Sequence, residues 1–250
     1  MRSLDTPDRG LDASPVRALQ RCALCAPGEV CFFCDSQTAA AVNSGDMIVA
    51  DRRVRRGESL FRTGDAFHFL FAVRGGIFKT VRNLGDGREQ VTGFQMAGDI
   101  LGTDAIGGHV HESDAVSLDE SRVCAIRYAG IERLGRALPQ MHDLLRKAMS
   151  GELAKQQSVI LLLGTMRAEE RLAMFLLTLS QRFKARGYSP TEFTLRMSRL
   201  EIASYLGMKI ETVSRMFSRL NAEGLISARR EQIRILDFAG LTRCVRRNAH

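Results

Sequence analysis

The sequence changes character at Pro139, and this change is the strongest constraint on its fold. Before Pro139, from Val54 to Arg127, glycines recur every few residues between short runs rich in Phe, Val and Thr. Such glycine-separated runs are typical of antiparallel β-structure. After Pro139, apolar residues recur at steps of three and four, which is the period of one helix face. The chain of 250 residues is therefore predicted to be α+β, with a β-domain followed by helices.

Three runs in the first half have the length and composition of strands. They are Phe67–Val73, Ile77–Arg82 and Gln90–Phe94. The dipeptide Asp86-Gly87, between the second and third runs, is typical of a hairpin turn. Short strands joined by turns of this kind predict a compact antiparallel domain that closes into a barrel-like roll.

The segment 138–165 carries an apolar stripe that is longer than one small domain needs. Its length favours a helix that pairs with the same helix of a second copy of the chain. The polar pair Lys155-Gln156 interrupts the stripe. The alternative is a helix that packs only on its own β-roll. The residues assigned to the dimerisation helix are Met141, Leu145, Met149, Gln156, Val159, Ile160 and Leu163.

Residues 198–220 have the pattern of a helix-turn-helix. Ser198 is a good N-cap for a short apolar helix, Gly207 ends that helix, and a second helix follows from Ile210 to Ala222. The outward side chains of the second helix stand where a recognition helix enters the major groove. Arginine there can bond guanine, glutamate can accept from cytosine, and Ser or Thr can meet a thymine edge or a phosphate. The residues assigned to DNA reading are Glu211, Thr212, Ser214, Arg215, Ser218 and Arg219.

The region after the helix-turn-helix also suits a polyanion. Residues 225–236 predict two strands joined by a basic turn at Arg229-Arg230, a small wing of the kind that contacts phosphates. The net charge is +8 and the isoelectric point is near 9.6. Residues 187–250 hold eleven Lys and Arg against six Asp and Glu. The basic excess is therefore concentrated near the predicted wing, and double-stranded DNA is the expected partner.

Several other classes of protein find no support. No run approaches the roughly 18 consecutive apolar residues that a bilayer-spanning helix needs, and the first residues lack the apolar core of a secretory signal. We therefore expect a cytoplasmic protein with no membrane partner. No Ser/His/Asp order, phosphate loop or spaced carboxylate pair points to catalysis, so we do not expect an enzyme.

The cysteines suggest a metal. Cys22, Cys25 and Cys31 form a C-x2-C-x5-C pattern, and Cys124 lies 93 residues after Cys31. Three thiolates from one loop and one from a distant element can hold the four irons of a cubane cluster, which would clamp two parts of the chain together. Cys34 completes a second C-x-x-C pair, so a local zinc site without Cys124 is an alternative. Redox-active or buried core thiols are a third possibility.

Taken together, these features resemble the Fnr branch of the cyclic AMP receptor protein superfamily, the fumarate and nitrate reduction regulators. The resemblance spans Cys22 to Phe238. It implies a cyclic-nucleotide-like β-roll, a long dimerisation helix and a C-terminal winged helix-turn-helix. The motifs that carry it, besides the cysteines, are Gly98–Gly107, Ala168–Ala173, Phe183–Pro190 and Glu211–Arg215. The expected divisions are a flexible leader (1–19), an iron-sulfur loop with the β-roll (20–137), a dimerisation helix (138–165) and a DNA-binding domain (166–250).

The resemblance also implies a function. A homodimer would bind palindromic operators of the TTGAT-N4-ATCAA type in the absence of oxygen, and would activate or repress genes of anaerobic metabolism. Oxygen would convert a [4Fe-4S] cluster to a [2Fe-2S] form and separate the dimer. RNA polymerase would be contacted near the loop Gly85–Gln90. A zinc- or thiol-based redox regulator on the same fold is the alternative. The residues that the resemblance assigns to the cluster are Cys22, Cys25, Cys31 and Cys124.

Two positions depart from the family pattern, and one stretch differs from cyclic-nucleotide regulators of the same fold. The family prototype has an acidic residue on the dimer helix whose repulsion makes assembly depend on the cluster, and Gln156 occupies the matching region here. Cys34 is an additional thiol near the ligand set. The stretch His111–Ala115 is acidic where a cyclic-nucleotide regulator has an arginine for the phosphate, so no cyclic nucleotide is expected.

Overall fold

The computed structural model of the protein describes residues 49–85, 87–137 and 139–246. The first unit is built from two four-stranded antiparallel sheets, with the orders β1-β8-β3-β6 and β2-β7-β4-β5. The strands are β1 (Val49–Val54), β2 (Ser59–Phe61), β3 (Phe69–Gly75), β4 (Ile77–Asn83), β5 (Glu89–Met96), β6 (Ile100–Leu101), β7 (Asp114–Ser117) and β8 (Ser121–Arg127).

An apolar core fills the space between the two sheets. Side chains alternate along a strand, so that Val123 and Ala125 of β8 face this core while Cys124 and Ile126 face away from it. The predicted β-roll is confirmed. The core residues are Val54, Leu60, Phe61, Phe71, Val73, Phe78, Leu101, Ala115, Val123 and Ala125.

The strand predicted over Ile77–Arg82 and the hairpin that follows it are confirmed as β4 and β5. Asp86 of the predicted turn lies outside the described residues. Before β4, Gly76 has a φ of 80°, and a Cβ there would lie 2.0 Å from Ser121 Oγ. Only glycine fits this turn, because any side chain would have to displace β8.

Two helices follow the roll: α1 (Tyr128–Ala137) and α2 (Pro139–Thr165). The long helix predicted after Pro139 is confirmed as α2. The sequence pattern did not predict α1, whose interior contains Gly130 and Gly135. Glycine lowers helix propensity by about 1 kcal/mol per residue. In the structure α1 is held by tertiary packing, because Ile131 is buried against the outer face of the roll.

The C-terminal unit is a winged helix-turn-helix. Its sheet has the order β10-β11-β9, so the wing has a third strand that the sequence pattern missed because it is only three residues long. The elements are α3 (Ala168–Lys184), β9 (Glu192–Thr194), α4 (Arg199–Tyr205), α5 (Ile210–Ala222), β10 (Ile226–Arg229), β11 (Gln232–Ile235) and α6 (Phe238–Arg246).

The predicted helix signals are confirmed. Ser198 Oγ accepts the Glu201 N–H at 3.2 Å, and the Glu201 carboxylate accepts the Ser198 N–H at 2.7 Å, which forms a reciprocal capping box at the start of α4. Gly207 has a φ of 60° in the turn after α4, and Gly224 has a φ of 70° after α5. Both glycines therefore adopt the left-handed conformation that ends a helix.

The two units share one continuous hydrophobic core. Phe94 of β5, Phe175 of α3 and Tyr205 of α4 form a ring cluster with centroid distances from 5.0 to 6.1 Å. At its edge the Val91 N–H donates to Ser204 Oγ at 2.9 Å. Strand β5 of the roll is therefore packed directly on the first helix of the helix-turn-helix.

Candidate nucleic-acid interface and candidate metal centre

Helix α5 presents one apolar face inward and one polar face outward. Val213, Phe217 and Leu220 are buried in the C-terminal core, which fixes the rotation of the helix. The structure brings the six predicted residues together on the outward side. Of these, Thr212 is half-buried, and the exposed members are Glu211, Ser214, Arg215, Ser218 and Arg219.

The two arginines on this side have different surroundings. Arg219 pairs with Glu169 at 2.9 Å and with Glu223 at 2.8 Å, so its guanidinium is directed toward α3 and the end of its own helix. The Glu223 hydrogen bond and the Glu169 charge raise the pKa of Arg219. Arg215 Nη2 instead lies 3.5 Å from Thr212 Oγ1, on the open side. Arg215 is therefore better placed than Arg219 to contact a base edge.

A basic cleft separates the wing from the roll. It has a volume of about 640 Å³. Arg199 stacks on Phe217 with 3.5 Å between its guanidinium carbon and the ring centroid, and burial lowers its pKa. Five basic side chains and two acids, Glu201 and Glu231, line the cleft, so the net charge of its lining is positive. The basic residues are Arg56, Lys79, Arg196, Arg199 and Arg230.

Cys124 is the predicted cluster ligand that lies within the described residues. It is 7% exposed and belongs to the apolar cluster on the outer face of the roll. The same cluster includes Ile131 of α1, and Leu145 and Ala148 of α2 pack against it. A thiol in such dry surroundings suits the soft thiolate ligation that iron and zinc clusters require. Cys22, Cys25, Cys31 and Cys34 lie outside the described residues.

Strand β1, the first described strand, pairs with β8 next to Cys124. In the register of β1 and β8, Asp51 lies opposite Cys124, and β1 begins at Val49. Cys31 precedes Val49 by 18 residues. A linker of that length can span up to about 60 Å when extended, so the distance along the chain allows the N-terminal thiols to meet Cys124.

A pocket of about 390 Å³ lies between the roll, α2 and α4. At its rim Asp104 accepts the backbone N–H groups of Glu112 and Ser113 at 3.0 and 3.1 Å, and the Ser113 hydroxyl at 2.9 Å. Burial raises the pKa of Asp104, but hydrogen bonds from His111 and Ser113 outweigh that effect and leave the pKa below its ordinary value. A carboxylate of the chain itself therefore occupies amide donors that an anionic ligand would otherwise use.

The predicted dimer residues of α2 do not form a single stripe. Leu145 packs on the outer face of the roll and Leu163 packs on the core that the two units share, but both are only half-buried, so their place on a paired face stays a prediction. Met149 and Ile160 are exposed, Val159 is half-buried, and Gln156 is exposed between them. Met141 lies in α2, but its side chain is outside the described residues.

Two further apolar residues of α2, which the apolar periodicity did not predict, are exposed. Leu153 is 58% exposed and Leu161 is 62% exposed. Met149, Leu153, Gln156 and Ile160 follow one another at steps of four, three and four residues, which is the spacing of a coiled-coil seam. A count of heptad steps through Gln156, instead of a search for apolar residues alone, would have found Leu153.

Among residues 49–85, 87–137 and 139–246, none of the helices has both the length and the apolar composition needed to cross a bilayer.

Two family profiles match the chain: the cyclic nucleotide-binding domain over residues 51–137 and the Crp-like helix-turn-helix domain over residues 170–244. The transcriptional regulatory protein btr of Bordetella pertussis is 42% identical over 225 residues, which cover 90% of this chain and 93% of that protein. The chain belongs to the Crp/Fnr family.

Other members of the family support the same assignment. The fumarate and nitrate reduction regulatory protein of Escherichia coli is 40% identical over 190 residues, which cover 76% of each chain. FixK2 from Bradyrhizobium japonicum, a solved structure, has a TM-score of 0.73 at 27% identity and covers 79% of this chain and 97% of its own. The predicted fold class is confirmed, and the chain is an Fnr-like transcription regulator with a DNA-binding helix-turn-helix. No enzyme family is indicated by these relatives.

Proposed function

We propose that this Crp/Fnr protein senses oxygen through a [4Fe-4S] cluster held by Cys22, Cys25, Cys31 and Cys124. The observation that carries the proposal is the place of Cys124. Its thiol lies in the same apolar cluster as Leu145 and Ala148 of α2. When bound, the cluster supplies an oxygen-labile centre of iron and sulfide ligated by thiolates.

The chain itself links this centre to α2. Ligation by the N-terminal thiols would hold the segment before β1 against β8 and the outer face of the roll, where Leu145 and Ala148 pack. If the iron-sulfur cluster were lost, the N-terminal thiols would no longer be tied to Cys124. The packing of α2 on this apolar cluster would then loosen. Because α2 carries the exposed seam from Met149 to Ile160, its packing affects how two copies meet.

The active form is proposed to be a homodimer that pairs through α2. Exposed apolar side chains at coiled-coil spacing lose contact with water when two such helices pair, and this burial favours association. Gln156 stands in the middle of the seam, where an amide adds no charge repulsion. A dimer also places two α5 helices on one duplex, so a modest change in association is amplified at a palindromic operator.

The proposed operator is of the TTGAT-N4-ATCAA type, and α5 is proposed to read it. Glu211, Ser214 and Arg215 are exposed and lie within about one turn of each other on the outward side of α5. Arginine can make a bidentate bond to guanine, and such a pair is worth about 1–3 kcal/mol of discrimination. Arg219 is proposed to orient α5 through Glu169, and the wing arginines to contact phosphates.

The bound dimer is proposed to regulate genes of anaerobic metabolism by contacting RNA polymerase. The loop between β4 and β5 supports such a contact, because Leu84, Gly85, Arg88 and Glu89 are exposed at the tip of the hairpin. No cyclic nucleotide is proposed to take part, because Asp104 and Glu112 line the roll pocket where a phosphate would have to sit.

Purification without oxygen tests the cluster. A brown protein with about four irons and four sulfides per chain would support the proposal. A colourless protein with stoichiometric zinc would instead favour the zinc- or thiol-based redox regulator. Titration of the anaerobic protein with air, followed by mass measurement, then tests the dimer. A mass that stays at the dimer value while the cluster absorbance disappears would contradict the proposed switch.

A further inference from the structure

Asp99 lies at the junction of three parts of the structure. It ends the tight turn between β5 and β6, where its N–H donates to the Met96 carbonyl at 2.9 Å and its Oδ2 accepts the Met96 N–H at 2.8 Å. The residue is 8% exposed. The turn itself therefore needs only one hydrogen bond from this side chain, and the rest of the carboxylate is available to other elements.

Three cations surround the Asp99 carboxylate. Lys155 of α2 reaches Oδ1 at 2.8 Å, Arg182 of α3 pairs with Oδ2, and Arg186, in the turn after α3, lies 3.8 Å from Oδ1. The two arginines also donate to carbonyls of the same β5–β6 segment. Arg182 donates to Phe94 O at 2.8 Å, and Arg186 donates to Ala97 O. One turn of the roll is thus joined to α2 and α3 at a single point.

The charge of Asp99 is retained despite its burial. Burial raises its pKa, but the charges of Arg182 and Lys155 outweigh that effect, so the pKa lies below the ordinary value of an aspartate. A buried ion cluster of this kind contributes little net stability, but loss of one member leaves the others buried without compensation. Its value lies more in fixing the geometry of the groups around it than in stability.

Helix α3 carries this geometry to the DNA-reading side. Arg182 is near its C-terminal end, at the Asp99 cluster, whereas Glu169 is in its first turn and pairs with Arg219 of α5. Both ends of α3 are therefore held by ion pairs, one to the roll and one to the recognition helix. Lys155 holds α2 at the same cluster, next to Gln156 of the exposed seam.

We propose that Asp99 is a positioning residue that sets the DNA-binding unit and α2 in one orientation relative to the roll. The expected effect on operator affinity rests on the proposed function. The joining of the roll to α2 and α3 by Asp99 does not. Without Asp99 the roll, α2 and α3 would lose the ionic contact that they share, and the two recognition helices of a dimer would be less well preorganised for one operator.

The test is Asp99→Asn with Asp51→Asn as the matched control. Asparagine keeps an oxygen for the Met96 N–H but removes the charge that holds the three cations. Asp51 has a similarly buried side chain, 11% exposed, and it pairs with Arg122 at 2.6 Å and Arg74 at 3.6 Å, both within the roll. The two variants therefore lose the same charge, one across the units and one inside the roll.

Two measurements on the full chain are required. In calorimetry we expect the wild type and Asp51→Asn to unfold in one transition, and Asp99→Asn to show separate transitions for the roll and the DNA-binding unit. We expect operator affinity to fall at least tenfold in Asp99→Asn, and Asp51→Asn serves as the control for calorimetry because Asp51 lies opposite Cys124. Arg182→Gln should change both measurements in the same direction as Asp99→Asn and serves if that variant folds poorly.

A single transition in Asp99→Asn, or separate transitions in both aspartate variants, would overturn the inference. The calorimetric measurement needs no DNA. If the wild type fails to bind the operator at all, the proposed function fails, while the number of transitions still decides whether Asp99 joins the units.

Discussion

Arg219 on α5 reaches Glu169 on α3, with 2.9 Å between Nη1 and Oε2. This contact separates two arginines that sequence spacing alone could not tell apart. Arg219 is directed back into the protein, where Glu223 also holds it at 2.8 Å, whereas Arg215 stays on the open side of the helix. The orientation of α5 and the proposed contact with bases therefore involve different arginines.

Arg215→Ala is expected to weaken binding at a cognate operator by about 1–3 kcal/mol and to change binding to random DNA little, because a base contact carries the sequence information. Fluorescence anisotropy on the two duplexes measures both affinities. Arg229→Ala, in the exposed wing, is the control and should weaken both duplexes alike. Equal losses for Arg215→Ala on the two duplexes would reduce Arg215 to a phosphate contact.

Cys124→Ala is expected to abolish the cluster, because Cys124 is the one thiol that residues 49–85, 87–137 and 139–246 place in the apolar cluster on the outer face of the roll. Cys34→Ala is expected to keep most of the iron. Iron and sulfide content after anaerobic purification measures the effect. Cys244→Ala, in α6 of the DNA-binding unit, controls for general loss of thiols. Iron retained in Cys124→Ala but lost in Cys34→Ala would show that the fourth ligand is misassigned.

Ile160→Glu is expected to shift the anaerobic protein from dimer to monomer without unfolding it. Ile160 is 68% exposed, so a carboxylate there costs little in one chain but repels its own copy across a paired seam. Sedimentation velocity gives the mass. Leu84→Glu offers a control, since Leu84 is also largely exposed but lies in the β4–β5 loop. An unchanged dimer in Ile160→Glu would place the interface elsewhere.

Acid is expected to weaken the contact between β4 and α4. Lys79 Nζ lies 2.8 Å from Glu201 Oε1. Burial raises the pKa of Glu201, but the Lys79 and Ser198 hydrogen bonds outweigh it and leave the pKa below the ordinary value of about 4.3. A depressed pKa adds stability above about pH 4.3, and this stability is lost as pH falls through the folded-state pKa.

Glu201→Gln should therefore lose about 1 kcal/mol or less of unfolding free energy near pH 6 and show a shallower acid dependence. Urea titrations between pH 3 and 6 measure both. Glu231→Gln is the control, because Glu231 is more exposed and lies 3.7 Å from its partner Arg196. An acid profile identical to that of the wild type would show that Lys79 contributes nothing to the ionisation of Glu201.

Cyclic AMP is expected to leave the melting temperature unchanged at micromolar concentration. The Asp104 carboxylate already accepts the Glu112 and Ser113 N–H groups, and Arg82 pairs with Glu112 at 2.7 Å. A phosphate in this pocket would therefore meet two acids, and the two amides that Asp104 holds would not be open to it. Thermal unfolding with and without the nucleotide measures the effect. A clear, saturable rise in melting temperature would show that the pocket binds cyclic nucleotide.

Local signals in the sequence were sufficient for much of the fold. The Ser198 cap, Gly207 and Gly224 mark helix ends through their own backbone and side-chain chemistry, so the helix-turn-helix could be predicted with its bounds. The hairpin of β4 and β5 was predicted for the same reason. Strand β9 could not be predicted because it has only three residues, and helix α1 could not be predicted because it contains two glycines. Both elements depend on packing against distant parts of the chain.

By itself, the sequence determined the order of the units, the polar face of α5 and the cysteine pattern, because each depends on residues close together in the chain. Only the tertiary structure decided that Leu145 faces the roll while Ile160 faces outward. It also decided that Arg219 forms an ion pair with Glu169 and that Asp99 joins the roll, α2 and α3. These outcomes depend on side chains tens of residues apart that compete for the same contacts. Local periodicity contains no information about which contact prevails.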